Sequence, residues 1–208
     1  NINPLYGFFV ARAGLGASES MRSKLAEYND PRLSRAFITK QGASGKEQAP
    51  GTADNAVYAP NGSPEQGTSK YGTSLFMYSI SAPTLLLSYH ELKFLEAEDL
   101  CRLGRDAKSA LKDAVVAGLL NAENSFSVSR KELGKTLINP ASSITDTEAE
   151  SYFDNTIEAK YTAEPLKTTM IQKYFALWGA SGEATESYND VRRMKGLGEN
   201  FIELKNPN

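Results

Sequence analysis

The chain has 208 residues, 23% of them charged, and a net charge of −2. That length can bury a full core as one domain, and the near balance of charge gives no drive toward nucleic acid or anionic lipid. No apolar run reaches the roughly 18 residues of a membrane-spanning helix, and the single cysteine, Cys101, allows no disulfide framework.

Asn3-Pro4 and an apolar run over residues 5–10 open the chain. Ser18 is placed to cap a short helix that carries Met21, Leu25 and Tyr28. Pro31 restricts Asp30 to non-helical backbone, so the helix stops there and a turn follows. In that turn Asp30 and Arg32 stand within reach of a local ion pair. Residues 39–74 are dominated by Gly, Ser, Asn, Pro, Thr and Gln, with lone aromatics at Tyr58 and Tyr71. A linker is one reading of this stretch and an ordered functional loop the other, because structureless loops beyond about 12–15 residues are uncommon unless they bind something or are disordered. Residues 74–80, SLFMYSI, are the best strand candidate, and residues 39–82 together read as an irregular insert.

Residues 83–122 hold the longest helical pattern. Leu86, His90, Phe94, Ala97 and Cys101 recur at steps of three and four and form one stripe on a helix predicted to start at Pro83. Leu103-Gly104 reads as its end, since glycine takes the left-handed cap conformation without a Cβ clash. Asp106 is placed to cap a second helix. There Ala107, Ala110, Ala114 and Ala117 line up as a stripe of small residues that lets two helices approach closely. Beyond Ala122 the chain reads as polar and turn-rich up to Asn139. Thr145 with Glu148 forms a capping box for a helix through Ala149, Tyr152, Phe153 and Ile157. A further helix starts near Pro165 with Leu166, Met170, Tyr174 and Leu177 inward. Gly179 and Gly182 bracket a tight connection to a last helix, from Glu183 to about Met194. That helix carries Ala184, Tyr188 and Val191 inward and Arg192-Arg193 near its end, where cations suit the dipole.

The fold class that follows is mostly α: antiparallel helix pairs with a long irregular loop region and little β. Phe94, Ala97, Cys101, Ala110, Ala114 and Ala117 fit the large, small and alanine positions of a tetratricopeptide (TPR) repeat, with its turn at Leu103-Gly104-Arg105. One such unit cannot bury its own apolar face, so it needs neighbours.

Candidate chemistry is sparse. His90 is the only histidine, which excludes a His-pair metal site and, with one cysteine, argues against a zinc cluster. His90 and Cys101 share a helix face but stand roughly 16 Å apart along it, too far for a catalytic dyad. Glu98 and Arg102 have the favourable i,i+4 order. Glu91, on the edge of a largely apolar helix, needs a partner if buried, and Arg192-Arg193 are the candidates. No cofactor and no catalytic residue is indicated.

Several phrases together resemble one family. Asn3-Pro4, Asp30-Pro31-Arg32-Leu33, the glycine- and serine-rich stretch and LLLSYHELKFLEAEDLCRLGR over residues 85–105 occur in the order seen in SusD/RagB-type nutrient-binding lipoproteins. Ile171-Gln172-Lys173-Tyr174 and ESYNDVRR over residues 186–193 follow in the same order. The resemblance implies a single, incomplete SusD-like α-helical domain over residues 1–208, from a longer protein whose lipid-anchored N-terminus is absent from this chain. It further implies a position on the outer surface of the outer membrane, a SusC-like TonB-dependent transporter as partner, and an oligosaccharide or peptide ligand that is bound and not cleaved. The family's ligand residues carry over by no motif. From the residues themselves, Tyr58 and Tyr71 are the candidate ligand contacts, since aromatic rings on a loop suit a sugar's C–H face. An intracellular TPR-type adaptor is the alternative, disfavoured because only one clean repeat unit is visible.

Overall fold

The Ser18 hydroxyl accepts the Met21 N–H at 3.3 Å, and helix α1 (Glu19–Glu27) follows with Met21 and Leu25 buried. The computed structural model describes residues 2–7, 16–41, 46–48, 58–60, 71–138 and 140–203. Asn29 ends α1 in the left-handed region, at φ 49°, a conformation asparagine tolerates better than most residues. The Asp30-Pro31 turn comes next. Arg32 donates from its backbone N–H and Nε to Asp30 Oδ1, at 2.9 and 2.8 Å, and from its second guanidinium nitrogen to Oδ2 at 2.6 Å. Both side chains are fully buried. The local ion pair expected from sequence is therefore a buried fork, the geometry in which guanidinium and carboxylate match best.

The chain divides into two compact units, residues 1–83, 123–143 and 205–208 in one and residues 84–122 and 144–204 in the other. The first holds a small sheet of order β3-β1-β2-β4, from β1 (Phe37–Gln41), β2 (Lys46–Gln48), β3 (Thr73–Ser74) and β4 (Leu137–Ile138). β1 runs antiparallel to β2 and β3, and β2 pairs parallel with β4. The strand expected over residues 74–80 lasts only to Ser74. The Ser74 hydroxyl accepts the Phe76 N–H at 3.3 Å, and Leu75–Tyr78 wind into a 3₁₀ turn. A side-chain cap has here outweighed the β propensity of aromatic residues. Phe76 and Phe126 meet at 4.7 Å between ring centroids, and Ser129 donates to the Leu75 carbonyl at 2.6 Å.

The second unit is all helical. Helix α2 (Tyr89–Arg102) starts six residues later than expected, capped by Ser88, whose hydroxyl accepts the Glu91 N–H at 3.1 Å. Leu86 thus precedes the helix and is 89% exposed, not part of the buried stripe. His90, Phe94 and Ala97 are buried as the spacing predicts, while Cys101 is half-buried against Thr169. Gly104, at φ 67°, closes the turn. Helix α3 (Lys108–Leu133) runs well past Ala122, so residues expected to be turn-rich continue the helix. Asp106 Oδ1 accepts the Lys108 N–H at 3.0 Å and the Tyr161 hydroxyl at 2.9 Å, and that hydroxyl in turn accepts the Ala107 N–H at 2.7 Å.

Helix α4 (Asp146–Tyr152) opens with Thr145 accepting the Glu148 N–H at 3.2 Å. It passes through a π turn (Phe153–Ile157) into α5 (Glu158–Ala163). Helix α6 (Pro165–Leu177) has nine buried residues among its thirteen, so it is a central helix and lacks the single inner face that periodicity suggests. Small residues bring α3 and α6 together: a Cβ added at Gly118 would lie 2.9 Å from Ala176 Cβ and 3.9 Å from the Phe94 ring. The Ala110 and Ala114 stripe is buried as expected, and Ala117 is half-buried. Helix α7 (Ala184–Gly196) buries Asp190 and Met194, and Tyr188 points outward, against expectation.

Two substitutions test this architecture. Phe94→Ala empties a fully buried site and is expected to cost about 3–5 kcal/mol. Asp30→Ala strands a buried guanidinium and is expected to cost a similar ~3–5 kcal/mol. Chemical denaturation of each variant checks both, and a loss under about 1 kcal/mol would contradict the placement of that residue.

Candidate functional site

Helix α6 is buried around most of its girth, and Lys173 lies in the middle of it with its side chain 3% exposed. A buried ammonium is tolerable only with partners. Lys173 Nζ meets Asp190 Oδ2 at 2.8 Å, and Glu98 Oε2 stands 3.9 Å away. Arg193 forks across the same two acids, donating to both Glu98 oxygens and, at 2.7 Å, to Asp190 Oδ1. Arg102 donates from Nε to Glu98 Oε1 at 2.7 Å and reaches Glu199 at 2.8 and 3.0 Å. Three cations and three carboxylates from α2, α6, α7 and the segment after α7 thus form one network. Burial by itself would raise the Glu98 carboxyl, but the hydrogen bonds from Arg193 and Arg102 outweigh it and hold the carboxyl below its ordinary value.

Beside this network lies a cavity of about 510 Å³, its wall carrying Glu91, Leu95, Asp99, Glu186 and Asn189 beside the paired charges. Glu91 takes no ion pair with Arg192 or Arg193, contrary to expectation. Arg193 is committed to Glu98 and Asp190, and the Arg192 guanidinium stacks 5.6 Å from the Tyr188 ring. Glu91 instead faces Glu183. Burial first, then the hydrogen bond and negative charge of Glu183, push the Glu91 carboxyl up to about 7, with Lys173 opposing and Glu186 adding to the rise.

Glu183 anchors the start of α2. It accepts the Ser88 backbone N–H and, at 3.0 Å, the Ser88 hydroxyl, and its Oε2 stands 3.4 Å from His90 Nε2. His90 is the core histidine that the helix pattern suggests. Gly182 makes this approach possible, because a Cβ there would fall 2.1 Å from the Leu85 carbonyl oxygen. Among the described residues no group of three or more His, Cys, Asp and Glu is arranged to hold a metal ion.

Residues 1–195 match the family model SusD-like_2, described as starch-binding associating with outer membrane. The chain belongs to this family. A crystal structure of a SusD/RagB family protein from Bacteroides thetaiotaomicron VPI-5482 shares 62% identity with it at a TM-score of 0.94. That match covers all of this chain and 44% of the other, so the SusD-like chain spans less than half the length of its solved relative. No curated protein matches it.

The two tyrosines predicted as ligand contacts lie in the first unit of the SusD-like chain. Residues 17–19 and 58–60 run side by side, Ala59 N–H donating to Ala17 O at 2.8 Å and Glu19 N–H to Ala59 O at 3.0 Å. Tyr58 is half-buried there, edge-on to Phe37 at 5.3 Å, with the Arg22 guanidinium 5.2 Å from its ring centre. Tyr71 is 5% exposed and packs close to Gly16. Much of the stretch between them lies outside the described residues. No helix of the described residues is long and apolar enough to cross a membrane.

The charged network was only partly visible beforehand. The Glu98–Arg102 step was legible, whereas its convergence with Lys173, Asp190 and Arg193 was not. The available signal was Lys173 itself, a lone cation among Met170, Ile171, Phe175, Ala176 and Leu177, which demands buried partners.

The Glu91 carboxyl makes stability depend on pH. Its folded value of about 7 lies above the ordinary 4.5, so the folded chain holds this proton more tightly than the unfolded one. The resulting stability is complete below about pH 4.5 and is lost as pH rises through about 7. Glu91→Gln, which cannot ionise, is expected to flatten this part of the profile and to be more stable than the parent at pH 8 by about 1–2 kcal/mol, allowing for solvent screening at the cavity wall. Urea melts from pH 4.5 to 8.5 check it, and parallel profiles for the two proteins would count against the Glu91–Glu183 pairing.

Proposed function

We propose that the chain is the nutrient-binding part of a cell-surface protein that captures an oligosaccharide, in preference to a peptide, and passes it to a SusC-like TonB-dependent transporter in the outer membrane. The observation that carries this reading is the match over residues 1–195 to a family described as starch-binding and associated with the outer membrane. The family description speaks of association with the outer membrane, and attachment in this reading comes through a lipid anchor on the longer protein.

The ligand surface in this reading is built from residues 39–80, with the half-buried Tyr58 ring as its contact and the buried Tyr71 as packing. Arg22 over the Tyr58 ring holds that ring in place, and a fixed aromatic face costs little entropy when a sugar stacks on it. The test is calorimetry of the protein against maltoheptaose, other neutral oligosaccharides and short peptides. Glycan binding is expected, weakened roughly tenfold in Tyr58→Ala, equivalent to about 1.4 kcal/mol. Tyr71→Ala is expected to act through stability instead. No binding to any member of the panel, or breakdown of the ligand during titration, refutes the reading; unchanged affinity in Tyr58→Ala moves the site elsewhere.

A further inference from the structure

Around the cavity walled by α2, α6 and α7 the charges do not all cancel. Arg102, Lys173 and Arg193 are spent on Glu98, Asp190 and Glu199. The wall carries three further carboxylates, Glu91, Asp99 and Glu186. Among the described residues no cation forms an ion pair with any of the three. Among the described residues Glu186 accepts from the Asn189 amide alone, at 3.3 Å.

Glu91 is the telling member. It is only 6% exposed yet lines the cavity. The groups that face it are Glu183 from the turn before α7, Lys173 from α6 and Glu186 from α7, with His90 beside it on its own helix. Glu183 is already engaged by Ser88 and stands against His90, and Lys173 gives its short contact to Asp190. Glu91, hydrogen-bonded by Glu183 and facing a Lys173 that pairs with Asp190, has no cation of its own among the described residues at this wall.

We propose that this cavity binds a small ligand through a protonated amine, whose ammonium docks against Glu91 and Glu186. An ammonium brings donors only, and ionised carboxylates are acceptors only. Charge-assisted hydrogen bonds between them are stronger than those a neutral hydroxyl makes. An anionic ligand finds no free cation here, because recruiting Arg193 or Lys173 breaks buried pairs. The volume of about 510 Å³ falls in the range of small-molecule sites, roughly 300–1,000 Å³. It suits the end of an oligosaccharide containing an amino sugar, or a lysine in a short peptide. This site belongs to the second unit and does not depend on what residues 39–80 bind.

The experiment is calorimetry with two matched pairs: the glucosamine trimer against the N-acetylglucosamine trimer, and N-terminally acetylated Gly-Lys-Gly against the same peptide acetylated at Nε as well. The amine member of at least one pair is expected to bind tenfold or more tightly than its acetylated partner, and the pair that shows this names the source. Because the Glu91 carboxyl titrates near 7, ammonium binding at pH 7 is expected to release up to about half a proton. For the lysine peptide, whose amine stays protonated throughout, that release is read from the difference in heat between phosphate and HEPES buffers and is expected to vanish by pH 8.5. Glu91→Gln and Glu186→Gln are each expected to shrink the amine preference at least fivefold. Glu186 lies outside the buried network, so its variant tests the site independently of the Glu91–Glu183 pairing. Equal affinity within both pairs, heat independent of buffer, or a preference intact in Glu186→Gln overturns the proposal. Neutral-glycan binding that responds to Tyr58→Ala but shows no amine preference overturns this proposal and leaves the previous one standing.

Discussion

A positive charge in the middle of a buried helix governs the second unit. Lys173 cannot reach water from its place on α6, so the ammonium must find carboxylates inside the protein. Asp190 from α7 and Glu98 from α2 supply them, and Arg193 and Arg102 then balance the surplus of negative charge. Directional contacts from three helices meet at one point. Such a network adds little to net stability compared with an apolar core of equal shape, but breaking any part of it is costly. It fixes how α2, α6 and α7 are oriented, and the cavity wall is a consequence of that orientation.

The first unit repeats the device on a smaller scale. Asp30 and Arg32 are two residues apart, share a turn, and are both shut away from solvent. Arg35 extends the arrangement, donating to the Pro31 and Ser142 carbonyls at 3.0 and 2.8 Å. A turn held by a buried guanidinium places β1 immediately after it and delivers Phe37 and Ile38 to the core. The same sheet is then completed from distant parts of the sequence, by β3 and β4. Tyr58 sits on this frame through Arg22 and Phe37.

The two proposed sites draw on different physics. The Tyr58 surface offers an aromatic face, which tolerates many sugars and discriminates weakly. The charged cavity offers unmatched carboxylates and discriminates by charge. The Glu91–Glu183 pair links that cavity to the anchoring of α2, because Glu183 holds the Ser88 cap while Glu91 lines the wall. A cation that draws the proton from Glu91 therefore acts on the start of the same helix.

Local chemistry determined by the sequence alone is recovered closely. The Ser18 and Thr145 caps, the Gly104 helix end, the Asp30–Arg32 pair and the Glu98–Arg102 step all stand as read, because each depends on residues no more than four positions apart. The buried Phe94, Ala97, Ala110 and Ala114 were equally legible from helical period. Tertiary structure alone decided the rest. Distant contacts hold two boundaries that the sequence misplaced: Ser129 donates to the Leu75 carbonyl at the 3₁₀ turn over residues 75–78, and Glu183 holds the Ser88 cap from which α2 starts at Tyr89. Packing carried α3 on to Leu133 through residues whose polarity had suggested a loop. Glu91's partner came from Glu183, 92 positions away, because Arg193 had a better-matched pair of acids in Glu98 and Asp190. A charge's nearest neighbours inside a fold are set by which helices pack together, and spacing along a chain does not encode that.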